Sequence, residues 1–213
     1  MVYGERSLMI RGDSKDYDLL SKWIMEASMP LQLFESQGGG YDFADKNWHP
    51  VSVEIGVREG LGSKVIMDAF REKIKNSETS YRHIGIDPYG NLKYQHYDTS
   101  PAYTADYTEE MRLQLEKDLL IYPEFKLYHM TDIEFMKRHQ DFEYVNFVHF
   151  DGPHMTKDVL REAIFFADRS RKYTRFVFDD YQTYNMGIIA KCLEFYDFKV
   201  VESGENKCLM EKK

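Results

Sequence analysis

The chain has 213 residues, 43% of them hydrophobic and 30% charged, with a formal net charge of −8. That length and balance predict one globular domain with a real core, and they exclude the basic surface of a general nucleic-acid binder. No run of about 18 apolar residues is present to span a membrane. The start, MVYGERSLMIRGDSKDYD, lacks the apolar stretch of a secretory signal. Cys192 and Cys208 are the only cysteines. They are too few for a disulfide framework, and a reduced, cytoplasmic setting is expected.

Leu20, Trp23, Ile24 and Ala27 recur at helical spacing and predict a helix over 14–28. The loop ESQGGGYDFADKNWHP follows, and Gly38, Gly39 and Gly40 give it the character of a mobile lid. Residues 1–50 read as an N-terminal extension. Val51, Val53 and Ile55 alternate in a strand that ends at Gly56. Val65, Ile66, Ala69, Phe70 and Ile74 mark a helix over 64–76, with Ser63 as its N-cap. YRHIGIDP, 81–88, is a strand stopped by Pro88. A polar, tyrosine-rich segment follows, with one helix near 108–120 (Met111, Leu115, Leu119). FKLYHM, 125–130, is a strand, and a short helix begins after Asp132.

YVNFVHFD, 144–151, is an apolar strand, and Val159, Leu160, Ala163, Ile164 and Ala167 form an amphipathic helix after it. RKYTR, 171–175, is the one basic cluster and reads as a solvated helix end before the strand YTRFVFDD, 173–180. Ile188, Ile189, Cys192, Leu193 and Tyr196 give a further helical stripe. Strands near 198–202 and 207–211 close the chain around Ser203-Gly204-Glu205-Asn206 and must pair antiparallel. The alternation of strand and helix predicts an α/β fold, a mostly parallel sheet with helices on both faces and an antiparallel C-terminal hairpin.

In such sheets ligands bind at the carboxyl ends of the strands, where the strand order switches. Gly56, Gly60 and Gly62 stand there at the spacing G-x-x-x-G-x-G. Nicotinamide-dependent short-chain dehydrogenases share that spacing, but they also need a Tyr-x-x-x-Lys pair on a late helix. The match here, Tyr89 to Lys93, follows the second strand directly. Glu54 at the strand end would repel a pyrophosphate and suits a cationic ligand, and Asp87 ends the next strand, where a carboxylate can accept both ribose hydroxyls.

EIGVREGLGS resembles the first motif of class I S-adenosylmethionine-dependent methyltransferases, in the form found in small-molecule O-methyltransferases, and IGIDP resembles their second. The resemblance covers about residues 50–211 and implies a Rossmann-like sheet over 51–213. It implies that Gly56, Gly60 and Gly62, with Ser63 closing the motif, wrap the methionine and ribose of S-adenosylmethionine, and that Asp87 holds the ribose diol. Glu54 would act by its field or by ordering the turn. Thr131 and Asp132 fall where the family contacts adenine. A tight turn without a ligand is the plain alternative.

Asp151 ends one strand and Asp179 and Asp180 the next. Adjacent strands lie about 4.8 Å apart, so the carboxylates repel unless a hard divalent cation such as Mg2+ neutralises them. The spacing is similar to that of metal-dependent O-methyltransferases of the catechol and of the macrolide- or aminocoumarin-sugar types. The resemblance implies Asp151, Asp179 and Asp180 as metal ligands. Where those types carry their basic Asp or Lys, this chain has Pro153 and His154. His154 is therefore the candidate general base, as an imidazole titrating near neutrality. Capping of loops by the acids and a plain loop role for His154 stand as alternatives. His49, His83, His96, His129, His139 and His149 look scattered and receive no ligand role.

The resulting expectation is an S-adenosylmethionine-dependent O-methyltransferase, assisted by Mg2+ or another divalent cation. Its acceptor would be a small molecule, a sugar diol or a phenol, with no nucleic-acid or membrane partner. Exposed aromatics could support a homo-oligomer. The alternatives are a metal-independent methyltransferase on another acceptor and a non-catalytic S-adenosylmethionine-binding protein, with a nicotinamide oxidoreductase last. Substrate choice would rest with residues 1–50, including Trp48 and His49, with 88–124, and with YQTYNM after the acid pair.

Overall fold

The run Val51–Ile55 (β1) is buried along its whole length, and the sheet is built outward from it. The computed structural model describes residues 15–28, 49–77 and 79–213. The lid expected at Gly38, Gly39 and Gly40, and Trp48, lie outside the described residues. The further strands are Arg82–Ile86 (β2), Lys93–Tyr94 (β3), Tyr103–Thr104 (β4), Phe125–Tyr128 (β5), Val145–Phe150 (β6), Ser170–Phe178 (β7), Phe198–Ser203 (β8) and Cys208–Lys212 (β9). The helices are Tyr17–Met25 (α1), Leu61–Ile74 (α2), Glu109–Asp118 (α3), Asp132–Arg138 (α4), Thr156–Ala167 (α5) and Met186–Leu193 (α6).

Seven strands form one sheet in the order β5-β2-β1-β6-β7-β9-β8. The first five of that order run parallel, and β9 is antiparallel to both β7 and β8. This is the expected α/β sheet with its closing hairpin. The order switches direction at β1 and β6, which opens a crevice at their carboxyl ends. β3 and β4 make a separate small hairpin.

Period-two alternation turns Val51, Val53 and Ile55 of β1 to one face of the sheet and Ser52 and Glu54 to the other. Val51, Val53 and Ile55 pack with Phe135, Phe150, Phe166 and Ile189 under α4, α5 and α6. The opposite sheet face presents Phe147, Val177 and Leu209 to Trp23, Met67 and Phe70 of α1 and α2. Helix α1 is integral to this second core. Trp23 is fully buried, and its Nε1–H donates to Glu202 Oε2 at 2.9 Å. Among the described residues no helix is long and apolar enough to cross a membrane.

Three details differ from the sequence expectations. Helix α2 starts at Leu61, with Gly60 as its N-cap at φ 88°; Ser63 is thus one turn inside the helix, buried against the sheet. Residues 171–175 lie in β7, where Arg175 is buried, its Nε–H donating to Glu211 Oε2 at 2.7 Å. The pairing with β9 supplies the counterion that a solvated helix end would not need. The polar, tyrosine-rich segment after Pro88, where only a helix near 108–120 was expected, also contains the β3–β4 hairpin.

Phe150 stacks on Phe178 with ring centroids 4.7 Å apart, one residue before Asp151. Phe150→Ala should cost about 3–5 kcal/mol in urea unfolding, as for other buried phenylalanines. A loss below about 1 kcal/mol would show that the core under the strand ends collapses without cost.

Candidate active site at the strand ends

The sheet ladder continues one residue past each central strand. The Asp151 amide donates to the Ile55 carbonyl at 2.9 Å, and the Asp179 amide to the Phe150 carbonyl at 3.0 Å. This places the ends of β1, β6 and β7 side by side. Gly56 turns the chain away at φ 83°, and a Cβ there would overlap the Asp151 carbonyl. A Cβ at Gly62 would run into Glu54 Oε1. The glycines therefore let β1 meet β6 and let the first turn of α2 sit on a carboxylate.

Glu54 is buried, and its carboxylate accepts from Ser63 Oγ–H and, at 2.9 Å, from His149 Nδ1–H. Because Ser63 donates to Glu54, its oxygen accepts from His83 Nε2–H at 2.9 Å. His83 Nδ1 then accepts from Ser52 Oγ–H, and Ser52 from the Tyr81 hydroxyl, both at 2.6 Å. One carboxylate thus orients a buried chain of donors and assigns the His83 tautomer. Burial lowers the His83 imidazole to about 4, and burial also pushes the Tyr81 hydroxyl far up.

Asp87 holds the glycine turn from the other side. Its Oδ2 accepts from the Val57 and Arg58 amides, both at 2.9 Å, and Oδ1 accepts from the Tyr89 amide at 3.1 Å. Burial raises its pKa against the pull of those bonds. A carboxylate offers about four lone-pair sites, so Oδ1 keeps one for a ligand hydroxyl. Thr131 is used as the N-cap of α4 in a capping box with Glu134. Asp132, raised by burial, lies 3.6 Å from Arg161 and beside Glu162.

A cavity of about 820 Å³ joins these elements, a volume within the usual range for small-molecule sites. Glu54, Gly56, Gly62, Asp87, Thr131 and Asp132 line it, together with Asp151, His154, Asp179 and Asp180. Gly60 and Ser63 do not. Ser63 acts on the site through Glu54, and Gly60 by capping α2.

The acid rim is balanced by a residue that sequence reasoning missed. Lys207 is fully buried and pairs with Asp179. Burial would raise Asp179, but the hydrogen bond from Asp151 and the Lys207 ammonium outweigh it and hold the carboxyl at about 2. Burial and the neighbouring Asp179 push Asp151 far up. The two carboxyls share a hydrogen bond, and of the pair Asp151 is the one raised. Asp180 is half-buried and moderately raised by burial and by Asp179.

His154 is buried, with Nδ1 3.5 Å from Asp180 Oδ2 and Nε2 3.9 Å from Asp151 Oδ1. Burial, with His96 4.6 Å away between ring centroids, drives its pKa to about 3, not the near-neutral value expected from sequence. Its imidazole is neutral. Of the histidines set aside as scattered, His83 and His149 serve the network under the turn, and His96 faces His154.

Lys207 is placed by strand register, which the local sequence does not show. The hairpin register pairs Phe178 with Cys208, which places residue 207 next to Asp179. No sequence signal marks His96, which is positioned only by tertiary contact.

Two measurements follow from this geometry. His83 is neutral when folded and protonated when unfolded between about 6.5 and 4, so its contribution to stability is lost as pH is lowered across that window, by about 1.4 kcal/mol per unit. A urea midpoint whose change between about pH 7.5 and about pH 5 is the same in His83→Gln as in the unaltered chain would contradict the buried network. Gly90 also has a positive φ, 94°, but open space around it. Gly90→Ala should cost about 1 kcal/mol, the left-handed penalty alone, whereas Gly56→Ala should cost several-fold more or prevent folding. Equal losses would deny the close approach of β1 to β6.

Residues 53–181 match the family described as a methyltransferase domain. No curated protein matches the sequence. Among solved structures, the calicheamicin methyltransferase CalS11 is similar with a TM-score of 0.56 at 11% identity, over 92% of this chain and 76% of that one. An O-methyltransferase from Bacillus cereus in complex with SAH gives 0.52 at 10%, over 95% and 82%. A ribosomal protein L11 methylase from Lactobacillus delbrueckii subsp. bulgaricus gives 0.51 at 9%, over 92% and 78%. Identities this low speak to the fold, and acceptors as different as these show that the fold does not choose the substrate. The family match runs from β1 through the glycine turn and Asp87 to the acid rim: the chain belongs to the methyltransferase-domain family and is an S-adenosylmethionine-dependent methyltransferase.

Proposed function

We propose that the chain methylates a hydroxyl of a small molecule, a sugar diol or a phenol, with a divalent cation held at the acid rim of Asp151, Asp179 and Asp180. The observation that carries this reading is the convergence of those carboxyls on the cavity that also contains the glycine turn and Asp87. The residues fit both groups. Three ionised carboxylates less the Lys207 ammonium leave two negative charges, which one divalent cation cancels. When bound, S-adenosylmethionine supplies an electrophilic methyl on a sulfonium, and the cation supplies positive charge that stabilises a developing oxyanion.

The chain's own residues do the rest. Oδ1 of Asp87 has a free acceptor position for a ribose hydroxyl, and Glu54 holds the turn in shape. Tyr89, Tyr94, Tyr97 and Tyr107 line the cavity from the segment after β2. They form a wall suited to the face of a flat or sugar ring, and they keep the reacting atoms dry and oriented. The calicheamicin and Bacillus cereus neighbours, named as a methyltransferase and an O-methyltransferase, accord with such an acceptor. The two cysteines are unpaired, which accords with a reduced, cytoplasmic setting. The pairing of Lys207 with Asp179 favours a second reading, in which the ammonium serves in place of a metal and transfer is metal-independent.

Formation of S-adenosylhomocysteine from a catechol or a vicinal diol separates the two. EDTA should lower the rate by about 100-fold, with recovery on adding a divalent cation. Asp180→Asn should lower kcat by a similar factor while donor affinity by calorimetry stays within about threefold. Full turnover in EDTA would remove the cation and leave the donor site intact.

A further inference from the structure

We propose that the cation is gripped by nitrogen as well as oxygen: His96, His154 and Asp180 form a centre that selects an imidazole-preferring first-row ion, such as Mn2+, Fe2+, Co2+ or Zn2+, over Mg2+. This rests on the reading that a divalent ion serves the rim, and it refines which atoms hold that ion.

The inner part of the rim is already committed. Lys207 is bonded to Asp179, and Asp151 shares a hydrogen bond with Asp179. The outer corner is different. One ligand atom each from His96, His154 and Asp180 lie within 4.8 Å of one another. Three donors around one ion at about 2.0–2.2 Å stand about 3.0–3.6 Å apart, so side-chain movements of up to about an ångström close the set. Asp180 is partly exposed, which leaves the corner open to the cavity.

An independent observation points to a ligand there. His154 is 3% exposed, and neither of its ring nitrogens has a hydrogen-bond partner among the described residues. Nδ1 of His96 is likewise buried and unpartnered. Buried imidazole nitrogens without partners are costly and uncommon. Here two imidazoles present such nitrogens beside one carboxylate, and a cation would take one nitrogen from each. Imidazole suits Mn2+ through Zn2+ better than it suits Mg2+, which takes carboxylate, carbonyl and water oxygens. Three protein donors also leave room in an octahedral shell for further oxygen ligands. In this arrangement His154 spends its lone pair on the ion and does not take the substrate proton.

The full chain, stripped with EDTA and dialysed, is titrated by calorimetry with Co2+, Zn2+ and Mg2+, without donor or acceptor. Co2+ and Zn2+ should bind at least about 100-fold more tightly than Mg2+. His96→Ala should weaken Co2+ by at least about tenfold and leave Mg2+ almost unchanged. The paramagnetic resonance spectrum of the Cu2+ complex should show nitrogen splitting that simplifies in the variant. His96→Gln, which keeps the bulk of the side chain, is measured alongside, and circular dichroism and S-adenosylmethionine binding establish that both variants are folded. Equal affinity for Mg2+ and Co2+, unaffected by either substitution, overturns the nitrogen centre. If transfer stays EDTA-sensitive and Asp180-dependent in that case, the carboxylate reading stands without it. If no divalent ion binds and transfer survives EDTA, both fall together.

Discussion

The structure depends on keeping carboxylates stable where water is nearly excluded. Glu54, Asp87 and Asp179 are buried at the carboxyl ends of adjacent parallel strands, and Asp151 is mostly covered between them. An isolated buried carboxylate is too costly to persist, and each of these has its own remedy. Glu54 takes hydroxyl and imidazole donors, Asp87 takes backbone amides, Asp179 takes an ammonium, and Asp151 shares a hydrogen bond with Asp179. Every remedy ties one strand end to its neighbour. The rim that can hold ligands is thus also the device that sets strand against strand.

This dual use explains why the pocket is ordered by its own chemistry. The Asp87 bonds to the Val57 and Arg58 amides shape the glycine turn before any donor arrives. Such preorganisation is what a transfer reaction needs, because dipoles fixed beforehand cost no reorganisation in the transition state. The segment between Pro88 and Thr108 is a different kind of element. It carries Tyr89, Tyr94, His96, Tyr97 and Tyr107 over the mouth of the cavity, and it is joined to the rim through the bridge between Tyr97 and His154. On the proposed reading, substrate choice and the second coordinating imidazole would arise in one stretch of chain, apart from the motifs that would bind the donor.

Much of this was legible in the residues. The alternation of Val51, Val53 and Ile55, the helical stripes after each strand, and the closing hairpin gave the sheet its order of elements. EIGVREGLGS and IGIDP located the turn and its carboxylates. What escaped were relations that period and spacing do not encode. Ser63 looks like a cap because serine before an apolar stripe commonly is one, yet Gly60 ends the turn and Ser63 is spent on Glu54. RKYTR looks solvated until the register opposite Glu211 is known. Lys207 and His96 are about 28 and about 58 residues from the groups they face, and long-range contacts of that kind leave no local trace.

A crystal structure with S-adenosylhomocysteine and Mn2+, using anomalous scattering to locate the metal, bears most directly on this account. It should show the ribose on Asp87 Oδ1, the Lys207–Asp179 pair intact, and the anomalous peak between His96, His154 and Asp180. A peak seated on Asp151 and Asp179 would remove the imidazole centre and keep the carboxylate rim, whereas no peak at the rim, with its carboxyls turned away from the cavity, would contradict the account.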